Sequence, residues 1–371
     1  MSVSIAESQS LGDKVLEERA RRGIDEVYNL DFEEAEKEFN EIIRQRSKDP
    51  AGYAFLAIVD WWRILIDMDD TQYDERFYNQ LDRVIDLCDE ILEKDETDVN
   101  ALFFKGGAIG FEGRLKFHRD DWLAAANAGR KALPIVQAAS LHDRKNYDIM
   151  LGNGIYNYYA EVLPEEYPLV KPLLLFVPRG DRKKGIEQLK TAWEKGKYAS
   201  VEAGYFLMQI YYTYEKDYVN ALSIAEQLHS RFPNNMLFHR YLGRCCVSLG
   251  NWPKVGQIFS DISSRVQKNQ RGYGPSSDRE AEYYLGLCDM NARRYESALK
   301  HLYRCDQLSR NLDKKETSGF MAMANLKIGM AYDALAKRDL AVMQYQKVLA
   351  MNEYQDSHKQ AEKFVKTPFA Q

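Results

Sequence analysis

Two consecutive segments decide the fold: EAGYFLMQIYYTYEKDYVNALSIAEQLHSRFPNN (202–235) and MLFHRYLGRCCVSLGNWPKVGQIFSDISSRVQKN (236–269). They are equally long, and each follows part of one repeat pattern. Ala221 in the first segment and Gly243 in the second stand where a small residue is favoured, and Phe259 stands where a large one is favoured, whereas Gln209 and Val255 depart from the pattern. A period of about 34 residues is typical of stacked helix pairs, in which small residues let antiparallel helices approach and large residues fill the seam between pairs. The period therefore predicts an array of helical hairpins.

The pattern recurs on both sides of these segments. Gly286 and Gly329 hold the small position in two later units, and Gly23 holds it in an early one. On these residues the chain resembles the tetratricopeptide repeat (TPR) superfamily. The resemblance implies an all-α fold, a TPR-like right-handed superhelical solenoid of antiparallel helix pairs, with about seven to eight hairpins.

The same pattern predicts how the chain is organised. We expect a disordered or frayed N-terminus over 1–13, the helical array over 14–350, and a C-terminal capping helix and tail over 351–371. A polar end cap is what a solenoid needs for solubility. Two insertions are predicted within the array, an apolar loop at 163–180 and a turn-rich loop at 267–278.

The first insertion is rich in proline and apolar residues, and it separates the two helices of one hairpin. It resembles the corresponding region of a narrower group, the inclusion-body clearance and mitochondrial outer-membrane TPR proteins with their uncharacterised bacterial relatives. The matching residues are Leu163, Pro164, Gly180, Asp181, Arg182, Gly185 and Leu189. That resemblance implies an adaptor role, linked to lipid droplets or membranes, with no defined catalytic site. Independently of it, we expect Asp181 to cap the helix that follows.

An apolar run within this insertion allows three interpretations. Its candidate residues are Leu173, Leu174, Leu175 and Phe176. In the first, which we favour, the run packs back onto the array. In the second it acts as a lid that binds a partner, and in the third it makes shallow contact with a membrane.

In TPR arrays the concave face of the superhelix is lined by fixed positions of each first helix. At two of these positions the well-defined units hold Phe206, Ile210, Arg240, Arg244, Tyr283, Leu287, Leu326 and Met330. The predicted groove is therefore largely apolar, with Arg240 and Arg244 one helical turn apart. This pair either binds a partner's carboxylate or forms ion pairs with acidic residues of neighbouring helices. Chaperone-tail clamps of the TPR family use Lys and Asn here, so we expect no chaperone co-factor role.

Several stretches that superficially suggest chemistry have simpler explanations. The glycines of KGGAIGFEGR (105–114) follow no strand and lack a Gly-Lys-Ser/Thr ending, so close helix packing explains them better than phosphate binding. The five cysteines show no C-x-x-C pairing. Trp61 and Trp62 are adjacent, so we expect at most one of them to face the core fully and the other to be a candidate surface anchor.

These observations predict a protein that is not an enzyme and has no catalytic, cofactor or metal site. We expect a non-catalytic scaffold that binds a protein or peptide segment in the concave TPR groove. A peripheral membrane or lipid-associated adaptor that uses the 163–180 loop is the alternative. A net charge of −5 without a basic stripe argues against nucleic acid. Membrane contact is not favoured, and self-association is left open.

The start of the sequence has no basic segment followed by an apolar one, so we expect a cytoplasmic protein without a signal peptide in the sequence as given. A periplasmic or exported mature form would look the same.

Overall fold

The computed structural model describes residues 14–143, 145–166 and 178–370. Within these ranges the chain forms seventeen α-helices and no β-strand. Helices that follow one another in sequence pack against each other in pairs. The predicted all-α fold of paired helices is thereby confirmed. The chain divides into two compact units, the first ending at Ile224 and the second beginning at Ala225.

The first unit contains four helical hairpins and the helix that follows them. Its helices are α1 (Lys14–Tyr28), α2 (Phe32–Gln45), α3 (Pro50–Ile66), α4 (Asp74–Leu92), α5 (Val99–His118), α6 (Trp122–His142), α7 (Ile149–Glu166), α8 (Arg182–Lys195) and α9 (Ser200–Ile210). A π-helical turn, Tyr211–Glu215, follows α9. The boundary between the units falls within α10 (Tyr218–Arg231).

The second unit continues the pattern with three hairpins and a terminal helix. Its helices are α11 (Met236–Ser248), α12 (Trp252–Gln267), α13 (Pro275–Asn291), α14 (Tyr295–Leu312), α15 (Gly319–Ala334), α16 (Arg338–Leu349) and α17 (Ser357–Lys366). The terminal helix α17 packs on α15 and α16, where the Phe364 ring lies 5.6 Å from that of Tyr345.

Close helix approach explains the repeated glycines of the pattern. A Cβ atom added to Gly243 would lie 2.7 Å from Cζ of Phe259, and one added to Gly286 would lie 2.8 Å from Cδ2 of Leu302. Ordinary carbon–carbon contacts are about 3.5–4.0 Å long. Glycine therefore lets each first helix rest directly on the large residue of its partner helix.

The first insertion is described only at its two ends. Helix α7 continues to Glu166, past the predicted loop start at residue 163, and α8 begins at Arg182. The apolar run with Leu173, Leu174, Leu175 and Phe176 lies outside the described residues, so its three interpretations stay predictions. The second insertion, predicted at 267–278, is shorter in the structure, where only residues 268–274 lie between α12 and α13.

The motif that ends the first insertion holds the returning chain against α7. A Cβ atom added to Gly180 would collide with the backbone of α7, including N of Glu161 at 2.8 Å. Asp181 caps α8 as expected, because its side chain accepts a hydrogen bond of 2.9 Å from Lys184 N. Gly185 lies equally close to α7, where an added Cβ would be 2.6 Å from N of Tyr158. The motif is thus explained by packing.

None of the helices in the described ranges is both long enough and apolar enough to cross a membrane.

Candidate binding groove

A cavity of about 550 Å³ lies within the first unit. Residues of α1 to α7 and of α9 line it, and most of them are apolar or aromatic. Three charged residues also line it: Arg114, Arg130 and Glu202. Its volume falls in the range of about 300–1,000 Å³ that ligand sites typically have.

Three glycines of α5 and α6 border this cavity. Gly107 is half-buried, Gly110 and Gly129 are exposed, and a Cβ atom added to any of them would have no heavy atom within 4 Å. The packing explanation for the glycines of 105–114 is right for Gly106 and Gly113, whose added Cβ atoms would meet α6 at 2.7 and 2.9 Å. It is wrong for Gly107 and Gly110. Each glycine inside a helix costs about 1 kcal/mol relative to alanine, and here no close contact requires it.

A single arginine, Arg114, lies between two aromatic rings at the wall of the cavity. Its guanidinium carbon is 4.5 Å from the centroid of the Trp61 ring on α3 and 4.2 Å from that of Phe206 on α9. Stacking on aromatic faces is favourable for a guanidinium and restricts its orientation. The side chain is 15% exposed, so the two rings hold a cation that ligands can reach.

Behind this cation lies a buried carboxyl group, that of Glu202 on α9, which is 3% exposed. Arg114 Nη1 donates a hydrogen bond of 3.3 Å to Glu202 Oε1. Burial raises the pKa of Glu202, because the charged carboxylate loses its hydration; Arg114 and the indole groups of Trp62 and Trp61 offset this effect in part. Arg114 and Glu202 are thus joined by one long hydrogen bond and do not form a bidentate pair.

The expectation that only one of the adjacent tryptophans is buried is wrong, since Trp61 and Trp62 both have no exposed surface. Helix α3 is enclosed on several sides. The Trp61 ring packs on Phe77 of α4, at 5.8 Å between ring centroids, and Trp62 packs on Tyr28 of α1 at 5.0 Å and on Tyr205 of α9 at 5.3 Å. Neither tryptophan is a surface anchor.

The groove residues predicted from the repeat lie in different environments. In the first unit Phe206 lines the cavity, whereas Ile210 is fully buried. In the second unit Leu326 and Met330 are buried, and Tyr283 and Leu287 are half-buried. The repeat pattern missed Arg114 and Trp61, which approach Phe206 only in the folded chain, and Glu202, which lies one helical turn before Phe206 on α9.

The two predicted basic groove residues bind a carboxylate of the chain itself. Arg240 Nε donates to Glu280 Oε2 at 2.6 Å, and Arg244 donates to both Glu280 oxygens at 2.5 and 2.7 Å. Glu280, on α13, has no exposed surface. Despite this burial, the two arginines lower the pKa of Glu280 to about 2. The structure therefore shows the second interpretation of this pair, an ion pair with a neighbouring helix.

Comparison with known proteins adds no family. No protein-family model matches the sequence, and no curated protein is similar to it. A solved structure of Rap protein complexed with competence and sporulation factor is similar over 95% of this chain and 96% of that chain, with 10% identity and a TM-score of 0.47. The human IFIT1 dimer with PPP-AAAA is similar over 87% and 69%, with 13% identity and a TM-score of 0.42. The architecture is that of a helical-repeat protein, and membership of the narrower TPR group stays a prediction.

Proposed function

We propose that the chain is a non-catalytic scaffold that binds a short segment of a partner protein in the cavity of the first unit. The observation that carries the proposal is the room left by Gly107, Gly110 and Gly129 in the middle of two helices. Helix propensity favours alanine at such positions, and packing does not forbid it. Glycine at these three positions, one half-buried and two exposed along the cavity wall, supports an occupant that approaches the helix backbone closely.

The lining of the cavity favours a segment with bulky apolar side chains and negative charge. Aromatic residues such as Phe103, Phe111 and Tyr159 supply apolar area for burial, which is the main driving force of such association. Arg114 and Arg130 outnumber Glu202 among the charged lining residues, although the whole chain carries a net charge of −5. A partner of complementary charge is therefore an apolar segment that also carries carboxylates.

The membrane-associated alternative and the argument against nucleic acid remain predictions from the sequence. The membrane- or lipid-associated adaptor depends on the run from Leu173 to Phe176, which lies outside the described residues. The argument against nucleic acid rests on charge composition alone.

The test is to fill the cavity and measure peptide binding. Binders are selected from a phage-displayed library of random dodecapeptides on the purified full chain, and their affinities are then measured by calorimetry. Gly110→Leu places an isobutyl group in open space, so it should preserve folding and weaken the selected peptides at least tenfold. Gln137→Leu is the matched control, because Gln137 is exposed on α6 and does not line the cavity.

Wild-type affinity in Gln137→Leu together with a loss in Gly110→Leu would support the proposal. Selection of no peptide, or equal binding by all three proteins, would refute it.

A further inference from the structure

Two fully buried glutamates in this chain have very different relations to their arginines. Glu280 accepts several short hydrogen bonds from Arg240 and Arg244, and its pKa is lowered. Glu202 accepts one hydrogen bond of 3.3 Å from Arg114, and its pKa is raised. Well-formed arginine–carboxylate pairs are bidentate, with distances of about 2.7–2.9 Å. Arg240 and Arg244 are therefore committed to their internal partner, whereas Arg114 is only weakly bound to its own.

The remaining hydrogen-bonding capacity of Arg114 borders the cavity. A guanidinium has five N–H donors, and among the described residues only Glu202 accepts a hydrogen bond from this one. Arg114 lines the cavity, and its planar group is held by Trp61 and Phe206. A cation in apolar surroundings is stabilised strongly by an anion that forms paired hydrogen bonds with it, because little water competes.

We propose that Arg114 is the recognition residue for a single carboxylate on an otherwise apolar ligand, with Glu202 as its weak counter-ion in the empty cavity. The inference rests on the proposed function and specifies the ligand of the same site. On binding, the ligand carboxylate accepts hydrogen bonds from Arg114, and its apolar part fills the space beside Gly107, Gly110 and Gly129. No group is transferred and no bond is broken.

Arg114 should discriminate between charged and neutral forms of one ligand. Hydrogen bonds to an ionised acceptor are roughly twice as strong as those to a neutral one. An acid should consequently bind about tenfold or more tightly than its amide or ester, whose carbonyl has the same shape without the charge. A peptide carboxylate and a fatty acid share this chemistry, so both sources are tested.

The experiment uses two matched pairs of probes on the purified full chain. The first pair is an N-acetylated leucine tetrapeptide as the free acid and as the C-terminal amide. The second pair is dodecanoate and methyl dodecanoate. Binding is measured by calorimetry and by intrinsic tryptophan fluorescence, to which Trp61 beside Arg114 contributes. A preference of at least tenfold for the acid in the peptide pair supports the inference, whereas a preference confined to the dodecanoate pair would overturn it, because the occupant would then be a lipid and not a protein segment.

Variants test whether Arg114 causes the preference for the acid over the neutral probe. Arg114→Gln should abolish the preference for the acid and leave the neutral probe within about threefold of wild type. Lys131→Gln removes one positive charge from an exposed site on α6 outside the cavity, and it should keep the preference. If Arg114→Gln does not fold, Glu202→Gln replaces it, because removal of the competing carboxylate should strengthen acid binding alone.

Equal affinities for acid and neutral forms in the wild type would overturn the inference while leaving the scaffold proposal to its own test. A preference that persists in Arg114→Gln, or a variant that weakens both forms equally, would also overturn it. Unchanged acid binding in Glu202→Gln would do the same.

Discussion

Replacement of Glu280 by glutamine should destabilise the second unit severely. The substitution keeps the size of the side chain but removes the only carboxylate that the structure shows bonded to Arg240 and Arg244. The two arginines lower the pKa of Glu280 from 4.5 to about 2, which corresponds to a stabilisation of about 3 kcal/mol at neutral pH. Removal of one partner from a buried ion pair typically costs about 3–5 kcal/mol. The two estimates agree.

The assay is thermal and urea unfolding of the full chain, each followed by circular dichroism. For a unit of roughly 150 residues, a loss of 3 kcal/mol lowers Tm by about 6–12 °C. Glu226→Gln is the matched control, because Glu226 pairs with Lys254 at 2.6 Å on the surface, where a salt bridge contributes about 1 kcal/mol or less.

The effect should also depend on pH in a defined direction. Because the pKa of Glu280 is lowered in the folded state, its stabilising contribution is present above about pH 4.5 and is lost as pH falls towards 2. The wild type and Glu280→Gln should therefore converge in stability on acidification. A loss no larger than that of Glu226→Gln at pH 7, or a difference that grows below pH 4.5, would refute the reasoning.

Further predictions concern both units. Burial lowers the pKa of His239 to about 3 and also lowers the pKa of its stacked neighbour His229, so the second unit should lose stability as pH falls below about 6.5. His239→Gln should reduce this loss, measured as the difference in Tm between pH 7.5 and pH 5.5. The same difference in Tm in the variant and the wild type would contradict the prediction. Gly129→Ala should stabilise the first unit by up to about 1 kcal/mol in urea unfolding, because the added methyl group meets only open space. Gly185→Ala should instead destabilise the first unit by more than 1 kcal/mol, because the methyl group would meet the backbone of Tyr158. Equal changes in the free energy of unfolding for Gly129→Ala and Gly185→Ala would contradict both predictions.

The seams between helices could be predicted from sequence because they depend on short, periodic spacing. Gly243 and Phe259 are sixteen residues apart, as are Gly286 and Leu302, so one 34-residue pattern locates both contacts. Arg114 and its two aromatic neighbours, Trp61 and Phe206, belong to three different helices and follow no common period. Their meeting depends on how α3, α5 and α9 pack, and helix packing angles cannot be read from residue spacing.

The repeat pattern could nevertheless have predicted the acidic partner of Arg240 and Arg244. Glu280 stands at position 2 of the repeat whose first helix is α13. In TPR arrays position 2 lies on the same concave face as positions 5 and 9. Consideration of charges between neighbouring units, and not only along one helix, would have predicted the ion pair. The open glycines were missed for a different reason: a glycine in a helical segment looks the same in sequence whether it faces a neighbouring helix or empty space.

The glycines that border the cavity also make its size adjustable without any change in the backbone. At Gly107, Gly110 and Gly129 an added methyl group would meet no heavy atom within 4 Å, so these are the positions at which larger side chains can be tried in turn. Each step removes volume at a known point on the wall, while the helices, their caps and the seams between them keep their contacts. A series of such variants would form a graded set of receptors on one scaffold, in which the largest side chain that a ligand tolerates at each position measures where that ligand lies.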